Sequence, residues 1–299
     1  MDKRANIKRL CLGTVKLGIP DYGFSSNLKI DSETKKIDFL IKAFELGIRK
    51  FDTSPRYGES EKILGSFFNQ ILSKEIEVYT KIDNLKPDDK KSQYKIFKSI
   101  EKSLKTLNQD FIEICYLHQN EIEIISDKNI IESMQLLKEQ KLIKNFGVSL
   151  YYRKEFEYAV SQEGIDCIQL PVNIFDSNFY FSFENSRKKL IARSVFLQGL
   201  LFNNNNLNKL NYGKQIFNYL TLLNKISEEY KISLEDLSIG FISSLLNIDF
   251  FIIGTTNIDN LIKNIRALSY NFSDELFQQI KNLSKEPKIW SNPRNWIFN

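Results

Sequence analysis

The sequence has few of the residues from which metal sites and disulfide frameworks are built. Its 299 residues include a single histidine, His118, and three cysteines, none of which stand in a CxxC pair. A Cys/His metal site is therefore not expected. Cys11, Cys115 and Cys167 lie inside apolar runs, and an odd number of buried thiols is typical of a reducing compartment.

Long apolar runs and clustered charges are also missing. No run approaches the length of a membrane-spanning helix, and Met1–Arg4 are not followed by the apolar stretch of a signal peptide. The 42 basic residues are spread along the chain and offset by 37 acidic ones, giving a net charge of +5 without a basic stripe. We therefore expect a cytoplasmic protein that binds neither nucleic acid nor membranes.

Short apolar runs alternate with longer amphipathic stretches along most of the chain. Runs rich in Ile, Val, Phe and Leu predict strands that are buried on both faces. The eight predicted strands are Arg9–Leu17, Arg49–Ser54, Glu77–Ile82, Ile112–His118, Lys144–Leu150, Asp166–Asn173, Leu190–Phe196 and Phe250–Thr255.

Apolar residues at helical spacing occupy the segments between these strands. The predicted helices are Ser32–Leu46, Ser60–Leu72, Tyr94–Leu107, Ile130–Gln140, Lys154–Gln162, Ser233–Leu246 and Asn257–Leu268. This alternation predicts parallel βαβ units, and eight units without a second domain favour a closed (β/α)8 TIM barrel, an α/β fold, over an open sheet. We expect one domain spanning residues 1–299.

Two segments interrupt the alternation. Asn203–Asn208 is rich in asparagine and is predicted to be an exposed loop. Residues 271–299 follow the last barrel unit and contain both tryptophans. We expect this tail to lie over the active-site face of the barrel, and a tail packed elsewhere on the surface is the alternative.

Polar residues follow three consecutive predicted strands, at the end of a barrel where catalytic residues lie. Asp52 and Tyr57 come at and after the end of the second strand, Lys81 ends the third, and His118 ends the fourth. Carbonyl reduction needs a proton donor and hydrogen-bond donors around the carbonyl oxygen. A tyrosine is a weak acid, and a nearby ammonium held by a carboxylate is expected to lower its pKa. A neutral imidazole can orient the same oxygen.

Each of these residues also has a structural interpretation. Asp52 can cap a turn, Lys81 can be a surface lysine and Tyr57 can be one of 13 packed tyrosines. A lone histidine such as His118 is more often structural than catalytic. Their placement together at three adjacent strand ends favours the catalytic interpretation.

The order Asp52-x4-Tyr57-Gly58, then Lys81, then His118 resembles the catalytic tetrad of the aldo-keto reductase superfamily. The resemblance runs from about Leu10 to about Leu268. The segments that carry it around the tetrad are Gly47-Ile48-Arg49-Lys50-Phe51-Asp52-Thr53, Gly58-x-Ser60-Glu61-x-x-Leu64-Gly65 and Ser103-Leu104-x-x-Leu107-x-x-Asp110-Phe111-Ile112-x-Ile114. It implies that Tyr57 donates the proton, Lys81 tunes it, Asp52 holds Lys81 and His118 orients the carbonyl.

The resemblance also implies NADPH bound in an extended form without a Rossmann domain, and the chain has no GxGxxG after a strand. Ser149 and Gln169 would bind the nicotinamide carboxamide, with Asn173 nearby, and Arg193 would stack on the nicotinamide ring. Ser194, Leu197 and Gln198 would approach the pyrophosphate. The adenosine end would be bound by Gly254, Thr255, Thr256, Asn257 and Asn264.

The chain departs from the family pattern in three respects. Leu150 stands where an Asn is frequent, and Val15 stands where a Trp is common. Gly254 and Asn260 occupy the positions of the Lys and Arg that bind a 2′-phosphate, with Lys263 one turn further on as a substitute. We therefore expect NADPH as the cofactor, with NADH as the alternative.

The opening segment, Leu12–Gly23, resembles aldo-keto reductases encoded in bacterial surface-polysaccharide loci. This resemblance suggests a sugar-derived aldehyde or a nucleotide-sugar intermediate as the small-molecule substrate. Two other functions stay open on the residues alone. One is a regulatory nucleotide-binding subunit on the same fold, and the other is an aldolase that uses Lys81 as a Schiff base.

Overall fold

Eight parallel strands close into a barrel in which each strand pairs with the next and β8 pairs with β1. The computed structural model describes residues 7–24, 31–71, 75–177, 180, 187–203, 207–286 and 288–297. The strands are β1 Leu10–Gly13, β2 Lys50–Asp52, β3 Glu77–Ile82, β4 Ile112–Leu117, β5 Ile143–Ser149, β6 Cys167–Pro171, β7 Lys189–Arg193 and β8 Phe250–Gly254. The predicted (β/α)8 barrel is confirmed.

Eleven α-helices in the described residues surround or extend the barrel. They are α1 Val15–Gly18, α2 Glu33–Glu45, α3 Ser60–Phe68, α4 Ser92–Leu107, α5 Ile122–Ile125, α6 Lys128–Glu139, α7 Arg153–Ser161, α8 Gly213–Glu229, α9 Leu234–Ser244, α10 Ile258–Ala267 and α11 Asp274–Ser284. None of the helices in these residues is both long enough and apolar enough to cross a membrane.

The helices differ from the prediction mainly around β1 and β7. The first predicted strand was too long, because Val15–Gly18 forms a short helix directly after Gly13. The long helix α8 was not predicted, although Ile216, Leu220 and Leu223 recur at helical spacing and are buried. Part of the asparagine-rich loop, residues 204–206, lies outside the described residues, and Leu207 at its end is buried.

The barrel interior is filled by side chains rather than open. The inward cluster consists of Cys11, Tyr79, Ile114, Tyr116, Cys167, Ile191 and Phe250. Tyr79 and Phe250 stack with ring centroids 4.8 Å apart. A Cβ at Gly147 would lie 2.5 Å from the Tyr116 ring, so glycine at this position leaves room for that ring. The barrel is therefore packed inside and does not form a pore.

Candidate active site

The alternation of side chains along the strands brings the predicted site residues to one mouth of the barrel. Lys81 lies two residues beyond Tyr79 on β3, and Gln169 lies two residues beyond Cys167 on β6 of the same barrel. Because residues i and i+2 of a strand face the same side, residues that follow the inward cluster also face inward. The carboxyl ends of the parallel strands therefore present Lys81 and Gln169 to the same space.

Lys81 is buried and is held by two oxygen atoms from the end of β2. Its Nζ lies 2.7 Å from Asp52 Oδ1 and donates a hydrogen bond of 2.8 Å to the carbonyl oxygen of Thr53. Burial alone would lower the pKa of Lys81, but the Asp52 carboxylate and the Tyr57 phenol outweigh it and raise the pKa. Lys81 therefore carries a positive charge at neutral pH.

Tyr57 lies between this ammonium and the imidazole of His118. The Lys81 Nζ lies 5.0 Å from the Tyr57 ring centroid, and the Tyr57 and His118 rings meet edge to face with centroids 6.2 Å apart. Burial raises the pKa of Tyr57 by more than Lys81 lowers it. The expectation of a lowered pKa is not met, because the phenol is too well shielded from water. Tyr57 is thus kept in its protonated form.

His118 contacts an acidic residue that the sequence analysis did not include. Its Nδ1 lies 3.2 Å from Asp83 Oδ2, at an angle poorer than that of a well-formed hydrogen bond. Burial lowers the pKa of His118 despite this carboxylate. Asp83 follows directly after β3 and also accepts a 2.8 Å hydrogen bond from Arg56. The position of Asp83 at a strand end was a signal in the sequence that could have identified it.

A cavity of about 730 Å³ opens at this mouth and contains all four residues of the predicted tetrad. It also contains ten of the eleven residues predicted to bind the cofactor, namely Ser149, Gln169, Arg193, Ser194, Gln198, Gly254, Thr255, Thr256, Asn257 and Asn264. Leu197 is the exception. The backbone has positive φ at Ser194, Leu197 and Gln198, and the Leu197 side chain is buried in the hydrophobic core.

Hydrogen bonds connect the predicted nicotinamide-binding pair to the Lys81–Asp52 pair. Ser149 Oγ lies 2.9 Å from Gln169 Oε1, and Gln169 Nε2 donates a 3.0 Å hydrogen bond to Asp52 Oδ2. Asn173 does not line the cavity; it is fully buried and its Oδ1 accepts a hydrogen bond from the Phe175 backbone. The two carboxylate oxygens of Asp52 thus bind a cation and an amide at once.

Two further residues of the cavity, Tyr151 and Arg294, were not identified from the sequence. The guanidinium carbons of Arg193 and Arg294 lie 3.9 Å and 3.6 Å from the Tyr151 ring centroid. They occupy opposite faces of the ring, because two guanidinium groups at these distances would collide on one face. Arg294 belongs to the tail, which therefore reaches the cavity as expected, while Trp290 packs in the core against Phe175.

The fold and the cavity define a (β/α)8-barrel protein with a charged site at the carboxyl ends of its strands. The model of the Aldo/keto reductase family matches residues 9–285. The chain therefore belongs to the aldo-keto reductase family and is an oxidoreductase of that family.

Relatives of known name and structure agree with this membership. The chain is 26% identical over 296 residues to the uncharacterized oxidoreductase YqkF of Bacillus subtilis, covering 93% of this chain and 95% of YqkF. It is 34% identical over 126 residues to L-galactose dehydrogenase of Arabidopsis thaliana, covering 40% of this chain and 39% of that enzyme. The holo form of aldo-keto reductase AKR11C1 from Bacillus halodurans superposes with a TM-score of 0.73 at 21% identity, covering 94% and 93% of the two chains.

Proposed function

We propose that this chain reduces an aldehyde or ketone to an alcohol with NADPH or NADH. The observation that carries the proposal is the convergence of Tyr57, Lys81, Asp52 and His118 at the mouth of one cavity. In the reaction the carbonyl carbon gains a hydride and the carbonyl oxygen gains a proton, so that the carbonyl double bond becomes a C–O single bond. The nicotinamide, when bound, supplies the hydride.

Tyr57 supplies the proton to the carbonyl oxygen in this proposal. Its raised pKa keeps the phenol protonated before the reaction, and the Lys81 ammonium stabilises the phenolate that remains afterwards. Asp52 and the Thr53 carbonyl oxygen fix the ammonium in place. A neutral His118 donates a hydrogen bond to the same oxygen and so orients the substrate.

The residues of the cavity fit a nicotinamide nucleotide. Ser149 and Gln169 offer a hydroxyl and an amide beside Asp52, which suits a carboxamide group. At the far end, Asn257 caps the N-terminus of α10, where backbone N–H groups favour phosphate. We propose that Arg193 stacks on the nicotinamide ring and that Ser194 and Gln198 approach the pyrophosphate between these two ends.

The cavity supports binding of either nucleotide rather than strict use of NADPH. Gly254 and Asn260 both line it, but neither carries a positive charge for a 2′-phosphate. Lys263, the substitute expected from the sequence, is exposed and does not line the cavity. Dissociation constants for NADPH and NADH that differ by less than about tenfold, or about 1.4 kcal/mol, are expected.

Two observations argue against a Schiff-base role for Lys81. Its ammonium is bound to Asp52 and the Thr53 carbonyl oxygen, and its pKa is raised, whereas a nucleophilic lysine needs a neutral amine. Borohydride with substrate is therefore expected to leave the protein unmodified.

The variant Tyr57→Phe tests the proposal. It removes the proton donor but keeps the ring, so turnover of NADPH with a panel of sugar-derived and simple aldehydes should fall by about 10²–10⁴-fold. Nucleotide binding, measured by fluorescence titration, should stay within about twofold of the wild type. Tyr94→Phe is the matched control, because Tyr94 is exposed on α4 far from the cavity.

Two results would count against the proposal. Wild-type turnover that survives Tyr57→Phe would assign the proton transfer to another group. Tight nucleotide binding without turnover on any aldehyde would favour the alternative of a regulatory nucleotide-binding subunit.

A further inference from the structure

The tail places a guanidinium group in the cavity that the proposed chemistry does not use. Arg294 lies in the 3₁₀ turn Pro293–Asn295, and it lines the same cavity as Tyr57, Lys81 and His118. Neither the proton transfer nor the nucleotide contacts proposed above involve Arg294. We therefore ask which other ligand Arg294 could bind in this cavity.

The position of Arg294 around the barrel separates it from the adenosine end of the proposed nucleotide site. Its Nη1 donates a 2.7 Å hydrogen bond to Asn120 Oδ1, and its guanidinium covers the Tyr151 ring. Asn120 follows β4 and Tyr151 follows β5, whereas the proposed adenosine contacts begin with Gly254 at the end of β8. In a closed eight-stranded barrel, β4 lies across from β8. The charge of Arg294 is thus available to the substrate side.

The contacts of Arg294 hold the guanidinium in place and leave most of its N–H groups free. Stacking on Tyr151 uses the flat face of the group, while carboxylates and phosphates bind to its edge. Asn120 accepts one of five N–H donors. The Asn120 amide in turn donates to Glu155 Oε1, which orients the asparagine.

The acidic group nearest to this arrangement is already engaged. Glu155 Oε2 accepts hydrogen bonds from the backbone N–H groups of Tyr151 and Tyr152, at 3.3 and 3.2 Å. Within the part of the chain that the structure describes, Arg294 forms no ion pair with a carboxylate. Among the described residues, no carboxylate is therefore paired directly with this guanidinium.

The pKa of Tyr151 is affected by the same guanidinium group of Arg294. Burial alone would raise the pKa of this phenol, but the guanidinium groups of Arg193 and Arg294 outweigh it and lower the pKa. Two acidic residues line the cavity among the described residues, and neither is paired with Arg294. Asp52 is paired with Lys81, and Glu235 lies in the first turn of α9, after β7.

We propose that Arg294 binds an anionic group of the substrate, a carboxylate or a phosphate, so that the enzyme acts on carbonyl compounds that carry such a group. This proposal rests on the proposed reductase function and specifies its substrate class. A sugar-derived aldehyde that is oxidised to an acid or phosphorylated elsewhere in the molecule belongs to this class. Arg294 is then the residue that selects it.

Matched substrates and a matched pair of variants test this assignment. The substrates are 4-oxobutanoate against its methyl ester, and glyceraldehyde 3-phosphate against glyceraldehyde. For at least one pair, the wild-type kcat/KM for the charged member should exceed that for the neutral member by more than about tenfold. Arg294→Met should reduce this ratio by about 10- to 100-fold, as for loss of a hydrogen bond to a charged group.

Arg266→Met is the control, since it removes one positive charge at an exposed position on α10 that does not line the cavity. It should keep the wild-type ratio for both pairs. The pair whose ratio responds to Arg294→Met identifies the anion as carboxylate or phosphate. Ratios near one in the wild type, or ratios unchanged by Arg294→Met, would overturn the assignment while the reductase function stands.

A binding measurement separates failure of the anion site from failure of the reductase function. Succinate and inorganic phosphate are titrated calorimetrically into nucleotide-saturated wild type and Arg294→Met. At least one of the two anions should bind the wild type tenfold or more tightly than the variant. If the wild type turns over no aldehyde, the proposed reductase function is wrong. If, in addition, each anion binds the wild type and Arg294→Met with the same affinity, the proposed anion site is wrong as well.

Discussion

The protonation states of Tyr57 and His118 decide the pH range of the proposed proton transfer. Burial raises the pKa of Tyr57 above its ordinary value of 10.0, so the donor is protonated below that pH and is lost only as the pH rises through the raised value. Burial lowers the pKa of His118 below its ordinary value of 6.5, so the imidazole is neutral from pH 6.5 upward.

The kcat/KM for reduction should therefore be level between about pH 6.5 and pH 10. It should fall at more acidic pH, where His118 becomes charged, and at more alkaline pH, where Tyr57 loses its proton. A pH series with one aldehyde and saturating nucleotide measures this profile. His118→Asn should remove the acid limb, and an alkaline limb below pH 10 would show that Lys81 lowers the Tyr57 pKa by more than burial raises it.

The three cysteines are expected to be unreactive as nucleophiles. Cys11, Cys115 and Cys167 are buried, and burial raises the pKa of each thiol, that of Cys167 to about 12. Cys11 and Cys167 fill the barrel interior with the aromatic rings of Tyr79 and Tyr116. Their role is packing, which agrees with the apolar runs in which the sequence places them.

Adjacent helices on the outside of the barrel approach closely where a side chain is absent. Gly65 on α3 faces the last turn of α4, and a Cβ at Gly65 would lie 2.1 Å from the carbonyl oxygen of Thr106. That oxygen belongs to backbone and cannot rotate away. The pairing of these two helices therefore depends on glycine at this position.

Gly65→Ala should destabilise the protein by about 1–3 kcal/mol, because α3 must move away from α4 to relieve the overlap. Urea unfolding followed by circular dichroism measures the change. Gly164→Ala is the control, since a Cβ there would lie 3.0 Å from the end of the flexible Gln135 side chain and at an ordinary contact distance of 3.6 Å from Ile131 Cγ2. Equal stabilities of the two variants would contradict the close helix approach.

The sequence predicted the elements well where the hydrophobic pattern was strong. The ranges of β3 and β4 agree with the predicted strands to within a residue, because their Ile, Val and Tyr side chains pack on both faces. The predicted end of β1 was wrong, because the apolar residues in Val15–Gly18 are compatible with a strand as well as with a helix. Contacts with α3, far along the chain, accompany the helical choice.

Closure of the barrel joins residues that are more than two hundred positions apart. Arg9 precedes β1, and its guanidinium donates hydrogen bonds to the carbonyl oxygens of Ser243, Leu245 and Ile248, at 2.7, 3.0 and 3.0 Å. Ser243 lies in the last turn of α9, and Leu245 and Ile248 lie between α9 and β8, the strand with which β1 pairs. The Arg9 side chain thus adds three hydrogen bonds at the seam of the barrel, the place where β1 pairs with β8.

Arg9→Met should lower the free energy of unfolding by about 2–3 kcal/mol, because it leaves three carbonyl oxygens without their charged donor. Arg9→Lys should lose less, since an ammonium keeps the charge but reaches fewer of the three oxygens. Chemical denaturation measures both, with Arg266→Met as an exposed control expected to stay within about 0.5 kcal/mol. No loss in Arg9→Met would show that strand pairing alone closes the seam.

The amino-acid pattern alone was enough to predict the eightfold alternation, the barrel and the positions of Asp52, Tyr57, Lys81 and His118 at the ends of strands. Hydrophobic periodicity and residues at strand ends are local properties, and a linear pattern records them. Three features became visible only in three dimensions. The Leu197 side chain is buried in the core, Asp83 contacts His118, and Arg294 from the tail stacks on Tyr151. Contacts between distant segments depend on loop paths and on burial in three dimensions, and the same burial raised the Tyr57 pKa where neighbouring charge alone predicted a decrease.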